Sequence, residues 1–384
     1  MDWWKAASIA LFGALAMADY VSDVVVMLQY ACVIDNKLTP DCPTIPGTNQ
    51  TNETIAALDA QGQISECSPH WAWFGISCTL LVISTLVPAM WWTLGQMQRH
   101  ENDNLCCGGC PHFCCLGVAQ LSHAWELIAL CLGHERTEDD ENGSVFRNIF
   151  TSITESAPQL YFQAYVIFQL GAYGQGFKIA SICISIASLS ASTVMSASSD
   201  TTDGVRNPRL RSWKGKAIGM CFIATDAAVR SLGYAMALSE PVRPYGAPTA
   251  GTFFLLCTIY QVCICRRQRC SSDSAFAVVT LPYVIPVVPL VLKKEQYRKT
   301  GLEVLLALRF LETVTFGILA GIFGETACGS GLARELAVYY SVLVANAVAL
   351  IAFNCCVAED GTLSTPRASA YSPRRILGRA MDSE

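Results

Sequence analysis

Long apolar runs recur along this chain and constrain it more than any other feature. They cover residues 4–34, 71–97, 145–170, 178–197, 217–239, 251–265, 300–323 and 334–355. About 20 apolar residues in a helix cross the hydrocarbon core of a bilayer. Within hydrocarbon every backbone amide must be satisfied internally, so runs of this length predict membrane-spanning helices. Composition agrees: 52% of the 384 residues are hydrophobic and only 15% are charged. Soluble domains are roughly one quarter charged. The first run is too long for a signal peptide and has no clear cleavage site, so it reads as a first transmembrane helix. The fold class is an all-α polytopic membrane protein. No phosphate-binding loop, H-E-x-x-H or G-x-S-x-G motif occurs, so neither an enzyme nor a cofactor is expected.

Two further segments read as re-entrant. Residues 116–133 are apolar but barely long enough to cross, and they contain His123 and Glu126. Residues 274–292 hold Pro282, Pro286 and Pro289, which suits a broken element better than a straight span. With eight full spans and an inner N-terminus, 20 of the 26 Lys and Arg fall inside. Lys37, Lys178, Arg243 and Arg334 fall outside, and Arg230 and Arg309 lie within spans. This bias satisfies the positive-inside rule, leaves the outer loop at 35–69 on the far side and places both termini in the cytoplasm.

The same layout exposes two parallel repeats, each reading span, span, re-entrant segment, span, span. Residues 1–197 form the first and 217–355 the second, joined by a basic linker at 198–216 and followed by a polar tail at 356–384. The repeats pair Asp19 and Asp23 with Asp226 and Arg230, and Glu155 with Glu312. Parallel repeats place functional sites between halves in many transporters.

The connecting segments carry candidate modifications. The outer loop 35–69 has acceptor sequons at Asn49 and Asn52, flanked by Cys42 and Cys67, which are placed to form a disulfide there. Cys328 is another outer thiol, with Cys32, Cys42, Cys67 or a second protein as its candidate partner. Inside, Cys106, Cys107, Cys110, Cys114 and Cys115 form a juxtamembrane cluster that reads as a palmitoylation site. A metal site at Cys107, Cys110 and His112 is the rarer reading, because no second C-x-x-C exists. In the tail, Asp360 is a candidate cleavage point, against the plainer reading of a disordered tail with ordinary charge.

The polar residues inside the runs carry most of the functional information. The segment TESAPQLYFQAY places Glu155, Gln159 and Gln163 on one helix face, with Pro158 in the same turn. Asp19, Asp23, His123, Glu126, Asp226, Arg230, Arg309 and Glu312 complete the set. By depth they climb from His123 and Glu126, through Glu155, Arg309 and Glu312, to Asp23 and Gln163. A charge at the centre of a span costs about 2.5–3.5 kcal/mol on insertion scales, so such groups face a bundle interior or a hydrated path. Asp226 with Arg230, and Arg309 with Glu312, are also placed to be internal ion pairs that only hold the bundle together.

ESAPQL, Glu155–Leu160, and DYVSD, Asp19–Asp23, resemble the XK-related family of membrane proteins, and the eight-plus-two helix layout is similar to that family's fold. The resemblance implies ATP-independent scrambling of phospholipids between leaflets and exposure of phosphatidylserine, with phosphatidylcholine and phosphatidylethanolamine as further cargo. It also implies a single-span accessory protein and a switch in the cytoplasmic tail. On that reading the intramembrane polar residues form a ladder for lipid headgroups, and no nucleic acid is involved. The sequons and the cysteine cluster depart from the family pattern. The alternatives are a proton- or cation-coupled small-solute transporter and a membrane scaffold that transports nothing.

Overall fold

Each of the eight apolar runs contains a helix in the computed structural model, which describes residues 3–31, 70–99, 128, 131–132, 156–170, 176–198, 210, 213–240, 242–268, 299–324 and 333–359. The helices are α1 (Trp3–Tyr30), α2 (Trp71–Arg99), α3 (Ala157–Leu170) and α4 (Gly176–Ser198), then α5 (Trp213–Ala237), α6 (Arg243–Gln268), α7 (Lys299–Phe323) and α8 (Ala333–Glu359). No strand occurs among the described residues. Outside them lie Glu155, most of 116–133 with His123 and Glu126, and the segment 274–292. So do the loop with Cys42, Asn49, Asn52 and Cys67, the cluster from Cys106 to Cys115, Cys328 and Asp360.

Helix α6 begins earlier than its apolar run. Its first residues, RPYGAPTAG, precede the run at 251–265 and carry Pro244, Gly246 and Pro248. Pro244 stands in the first turn, where the missing N–H has no helical partner to lose. Pro248 gives up one bond inside the helix. The connection from α5 is short and tightly hydrogen-bonded: the N–H groups of Val242 and Arg243 donate to Ser239 O at 3.0 and 2.7 Å. Gly246 then lies against the end of α5, where an added Cβ would fall 2.0 Å from Ala237 O. Only glycine admits so close an approach.

Helix α5 is the packing centre, rather than the helix that carries ESAPQL. It lies against α3, α4, α6, α7 and α8. Its composition explains this. Gly215, Gly219, Ala227, Gly233 and Ala235 are buried on it, and small residues let neighbouring backbones approach closely. At Gly233 an added Cβ would sit 3.1 Å from the Tyr339 hydroxyl and 3.3 Å from the Phe316 ring. Around α5, α1 packs on α2 and α4, and α3 packs on the same two helices. On the other side α6 and α8 each pack on both α5 and α7.

Three apolar clusters fill the contacts. Ala164 and Phe168 of α3 meet Val229, Ala235 and Met236 of α5, Ala320 of α7 and Tyr339 of α8. Val194, Leu210, Phe222, Ile223 and Phe353 form a second. Val26, Tyr30 and Val166 form a third, edged by Trp73, Phe74 and Phe162.

The surface is inverted relative to a soluble protein. Val344 and Ile351 of α8 are each 62% exposed, while Asp23 and Gln159 are fully buried. Exposed apolar faces of this extent need a cover, and hydrocarbon supplies it. By length and composition Gly176–Val194, Leu306–Phe323 and Ala333–Phe353 qualify as membrane spans. The chain is a membrane protein, and its described elements are all helices.

Candidate functional site

The buried polar residues gather into two seams. The first lies between α1, α3 and α4. Asp19 and Asp23 are one turn apart on α1 and both point inward. Ser156, just before α3, donates to Asp19 Oδ2 at 2.9 Å. From α4, Ser185 donates to Asp19 Oδ1 and Ser188 also hydrogen-bonds the carboxylate. Higher up, Gln163 Nε2 donates to Asp23 Oδ1 at 2.6 Å. Ser181 Oγ and Ser22 Oγ meet at 3.0 Å, and Ser22 donates to Asp19 O at 2.8 Å. Gln159 reaches sideways to α2, where its Nε2 donates to Ser77 O at 3.3 Å.

Helix direction follows from these pairings. Asp19 meets residue 156 and Asp23 meets residue 163, so α1 and α3 run parallel. Residue 19 meets 185 while 22 meets 181, so α4 runs against them. Ser156 lies in a π-type turn beside Pro158, the irregularity expected where a proline interrupts the hydrogen-bond ladder.

The second seam lies between α5 and α7. The expected pairing along each helix, Asp226 with Arg230 and Arg309 with Glu312, gives way to pairing across them. Arg230 Nη2 is 3.5 Å from Glu312 Oε2, and Arg309 Nη1 is 3.9 Å from Asp226 Oδ2. The reason is geometric. Residues one turn apart on one face all point at the neighbouring helix, and two parallel helices then bring opposite charges together level by level. Two cations and two anions leave this seam without net charge, which lowers the cost of burying it. Tyr234 of α5 adds a hydrogen bond from its hydroxyl to Glu312 Oε1 at 2.6 Å. The Arg230 guanidinium lies 5.8 Å from the centre of the Tyr234 ring.

Tyr161 brings α3, which carries Gln159 and Gln163 of the first seam, against the second seam. Its ring meets that of Tyr234 edge-on at 5.4 Å, and it lies in the field of all four charged groups. Tyr165, one turn on, accepts from Arg243 Nη2 at 3.4 Å.

The structure therefore brings Asp19, Asp23, Gln159 and Gln163 to one seam and Asp226, Arg230, Arg309 and Glu312 to the other. Most of these side chains are withdrawn from both lipid and water, with Asp226 the most open. Ser156, Ser185, Ser188, Tyr161 and Tyr234 are additional members. In the sequence Ser156 is part of ESAPQL, Ser185 and Ser188 lie in the apolar run 178–197, and both tyrosines lie in apolar runs, so none stands out as a partner for a carboxylate. Lys178, expected on the outer side, stands in the first turn of α4 with 2% of its surface exposed.

No arrangement of three or more His, Cys, Asp or Glu suited to a metal occurs among the described residues. The sequence profile of a family described as XK-related protein matches residues 67–368. The chain belongs to the XK-related family. No curated protein matches it. The XK-related match runs from the segment before α2 to beyond α8, so it includes ESAPQL, α5 and the whole second seam. Asp19 and Asp23 precede it, and their hydrogen bonds tie α1 to Ser156 and Gln163 within the XK-related region.

Proposed function

We propose that this XK-related protein moves phospholipids between the leaflets of the plasma membrane without ATP, exposing phosphatidylserine. The observation that carries the reading is the pair of buried polar seams, with Tyr161 of α3 set against the second. A lipid headgroup crossing a bilayer needs polar partners at successive depths, because its passage through hydrocarbon is the barrier. Asp19, Asp23, Gln159 and Gln163 offer carboxylates and amides, which suit choline, ethanolamine and serine ammonium groups. Arg230 and Arg309 suit phosphate. Glu155, His123 and Glu126 extend the same ladder toward the inner side.

Both seams are closed by hydrogen bonds and ion pairs among their own members. Headgroup passage then requires the helices to part, with a lipid replacing those partners one by one. A cytoplasmic tail switch and a single-span accessory protein would act by shifting that equilibrium.

The topology proposed is eight spans with two re-entrant segments, both termini inside, in two parallel repeats. Recurring contacts support the repeats. Helices α1 to α4 pack in a ring, 1–2, 2–3, 3–4 and 4–1, and α5 to α8 pack in the corresponding ring. In each ring the first and third helices share a buried polar seam, which in the first ring also takes in α4.

The test is reconstitution of purified protein in liposomes carrying fluorescent phospholipids in both leaflets. A membrane-impermeant quencher is then added, with full-length protein and with protein truncated after Glu359. Scrambling appears as loss of inner-leaflet label. Label that stays protected with both proteins contradicts the reading. A proton- or cation-coupled transporter is the second reading, favoured by the hydroxyl-ringed carboxylate of Asp19. It requires pH- or sodium-driven solute uptake by the same liposomes.

A further inference from the structure

Lys178 is a buried cation whose burial neither seam explains. Only 2% of the residue is exposed, and among the described residues its Nζ has no hydrogen-bond partner. The ammonium lies 5.4 Å from the centre of the Tyr30 ring, and that ring is its one described polar contact. The Tyr30 residue is 1% exposed, and its hydroxyl also lacks a hydrogen-bond partner. Among the described residues neither donor has a hydrogen-bond acceptor, and the Asp23 carboxylate is the anion whose field reaches Tyr30. Burying an unpaired ammonium is among the most expensive things a protein does.

The position adds to the cost. Lys178 is the third residue of α4, whose first turn carries no acidic residue. The start of a helix is the positive end of its dipole, where the first backbone N–H groups have no helical acceptor. A cation there is disfavoured twice, by burial and by the dipole. His70, just before α2, registers the same positive field. Its imidazole pKa is held below the ordinary histidine value, first by burial and then by the Lys178 charge. The site is walled by Trp73, which stacks on His70 at 4.4 Å and meets Tyr30 edge-on at 5.9 Å. Each of these features is unfavourable alone, and all are relieved by one bound anion.

We propose that Lys178 and the Tyr30 hydroxyl form a site for a phosphate-type oxyanion at the end of the bundle where α1 ends and α4 begins. The ammonium supplies charge and up to three donors, and the tyrosine supplies a fourth. A phosphate oxygen fits better than a carboxylate because several donors converge on it without a required plane. The source is either a phospholipid headgroup or a free phosphate. The site stands independently of the scrambling reading, since it concerns binding alone.

The test uses the full-length protein in detergent, with its unfolding temperature followed by tryptophan fluorescence. The probes are glycerophosphocholine, a headgroup phosphodiester without acyl chains, and inorganic phosphate. Each is compared with sodium chloride at equal ionic strength. A saturable rise in unfolding temperature with at least one probe is expected. Response to glycerophosphocholine alone assigns a lipid source, and response to inorganic phosphate alone assigns a free anion.

Lys178→Met is expected to weaken the response at least tenfold and Tyr30→Phe several-fold, while Lys178→Arg retains it. In the absence of either probe, Lys178→Met is expected to unfold at a higher temperature than the unsubstituted protein, because an uncompensated charge is gone. Two results overturn the proposal: no saturable response to either probe, or an undiminished response in folded Lys178→Met.

Discussion

A buried guanidinium that loses its carboxylate keeps its charge in a site withdrawn from water. Glu312→Gln is therefore expected to destabilise the protein by about 3–5 kcal/mol. The replacement still accepts from Tyr234, so the loss is mainly that of the Arg230 partner. A double-mutant cycle separates the crossed pairing from the intrahelical one. Arg230 and Glu312 should couple at about 0.5–3 kcal/mol, and Asp226 and Arg230 more weakly. Unfolding temperatures of the four proteins in each cycle provide the measurement. Stronger coupling between Asp226 and Arg230 would contradict the crossed arrangement. The sequence shows four charges one helical turn apart within two spans. It does not show which faces which, because that depends on how two helices 80 residues apart are docked. Lys178 is a similar case. At the start of the run 178–197 it counts as an outer-side cation, and the packing of α1 against α4 adds that it is buried there.

At the scale of the helix, hydropathy was an effective guide. Each expected span is a helix, and most ends agree within a few residues, because a long apolar run in a membrane has few other solutions. Helix α6 was the exception, since proline and glycine in a first turn look the same in sequence as proline and glycine in a loop. The role of α5 was hidden too. A glycine-bearing helix looks weak by propensity, yet it is the one that neighbours can approach most closely.

Glycine substitutions test this contrast. Gly246→Ala places a carbon 2.0 Å from the Ala237 carbonyl oxygen, so backbone must move. The expected destabilisation is at the exceptional end for a single substitution, above about 4 kcal/mol. Gly251→Ala, in the same helix with open space around it, should instead stabilise by about 0.5–1 kcal/mol. Thermal unfolding of both variants checks the two signs. A neutral Gly246→Ala would show that α5 and α6 are not joined by this close turn.

For the whole molecule, the decisive property is polarity turned outside in. Valines, isoleucines and phenylalanines of α7 and α8 face outward, and carboxylates, amides and guanidinium groups are held between helices. Such an interior has two uses. It fixes which helix packs on which, since each polar group must find its partner. On the proposed function it also stores a set of exchangeable contacts for a passing headgroup. The first use alone would make a scaffold, and the second makes a path. Both leave the same hydrogen bonds in the closed molecule, so the discriminating quantity is a transport rate in a protein that is still folded.

That rate is best measured in liposomes with a seam variant that keeps the shape of the site and removes its charge. Asp19→Asn retains acceptor and size between Ser156, Ser185 and Ser188. Fluorescent phospholipid is followed from the inner leaflet to an external quencher, in variant and unsubstituted protein of matched unfolding temperature. The expected result is inner-leaflet label lost with the unsubstituted protein and lost at least about tenfold more slowly with Asp19→Asn, or about 1.4 kcal/mol of added barrier. Full-rate scrambling by a folded Asp19→Asn protein would contradict a headgroup path along the first seam.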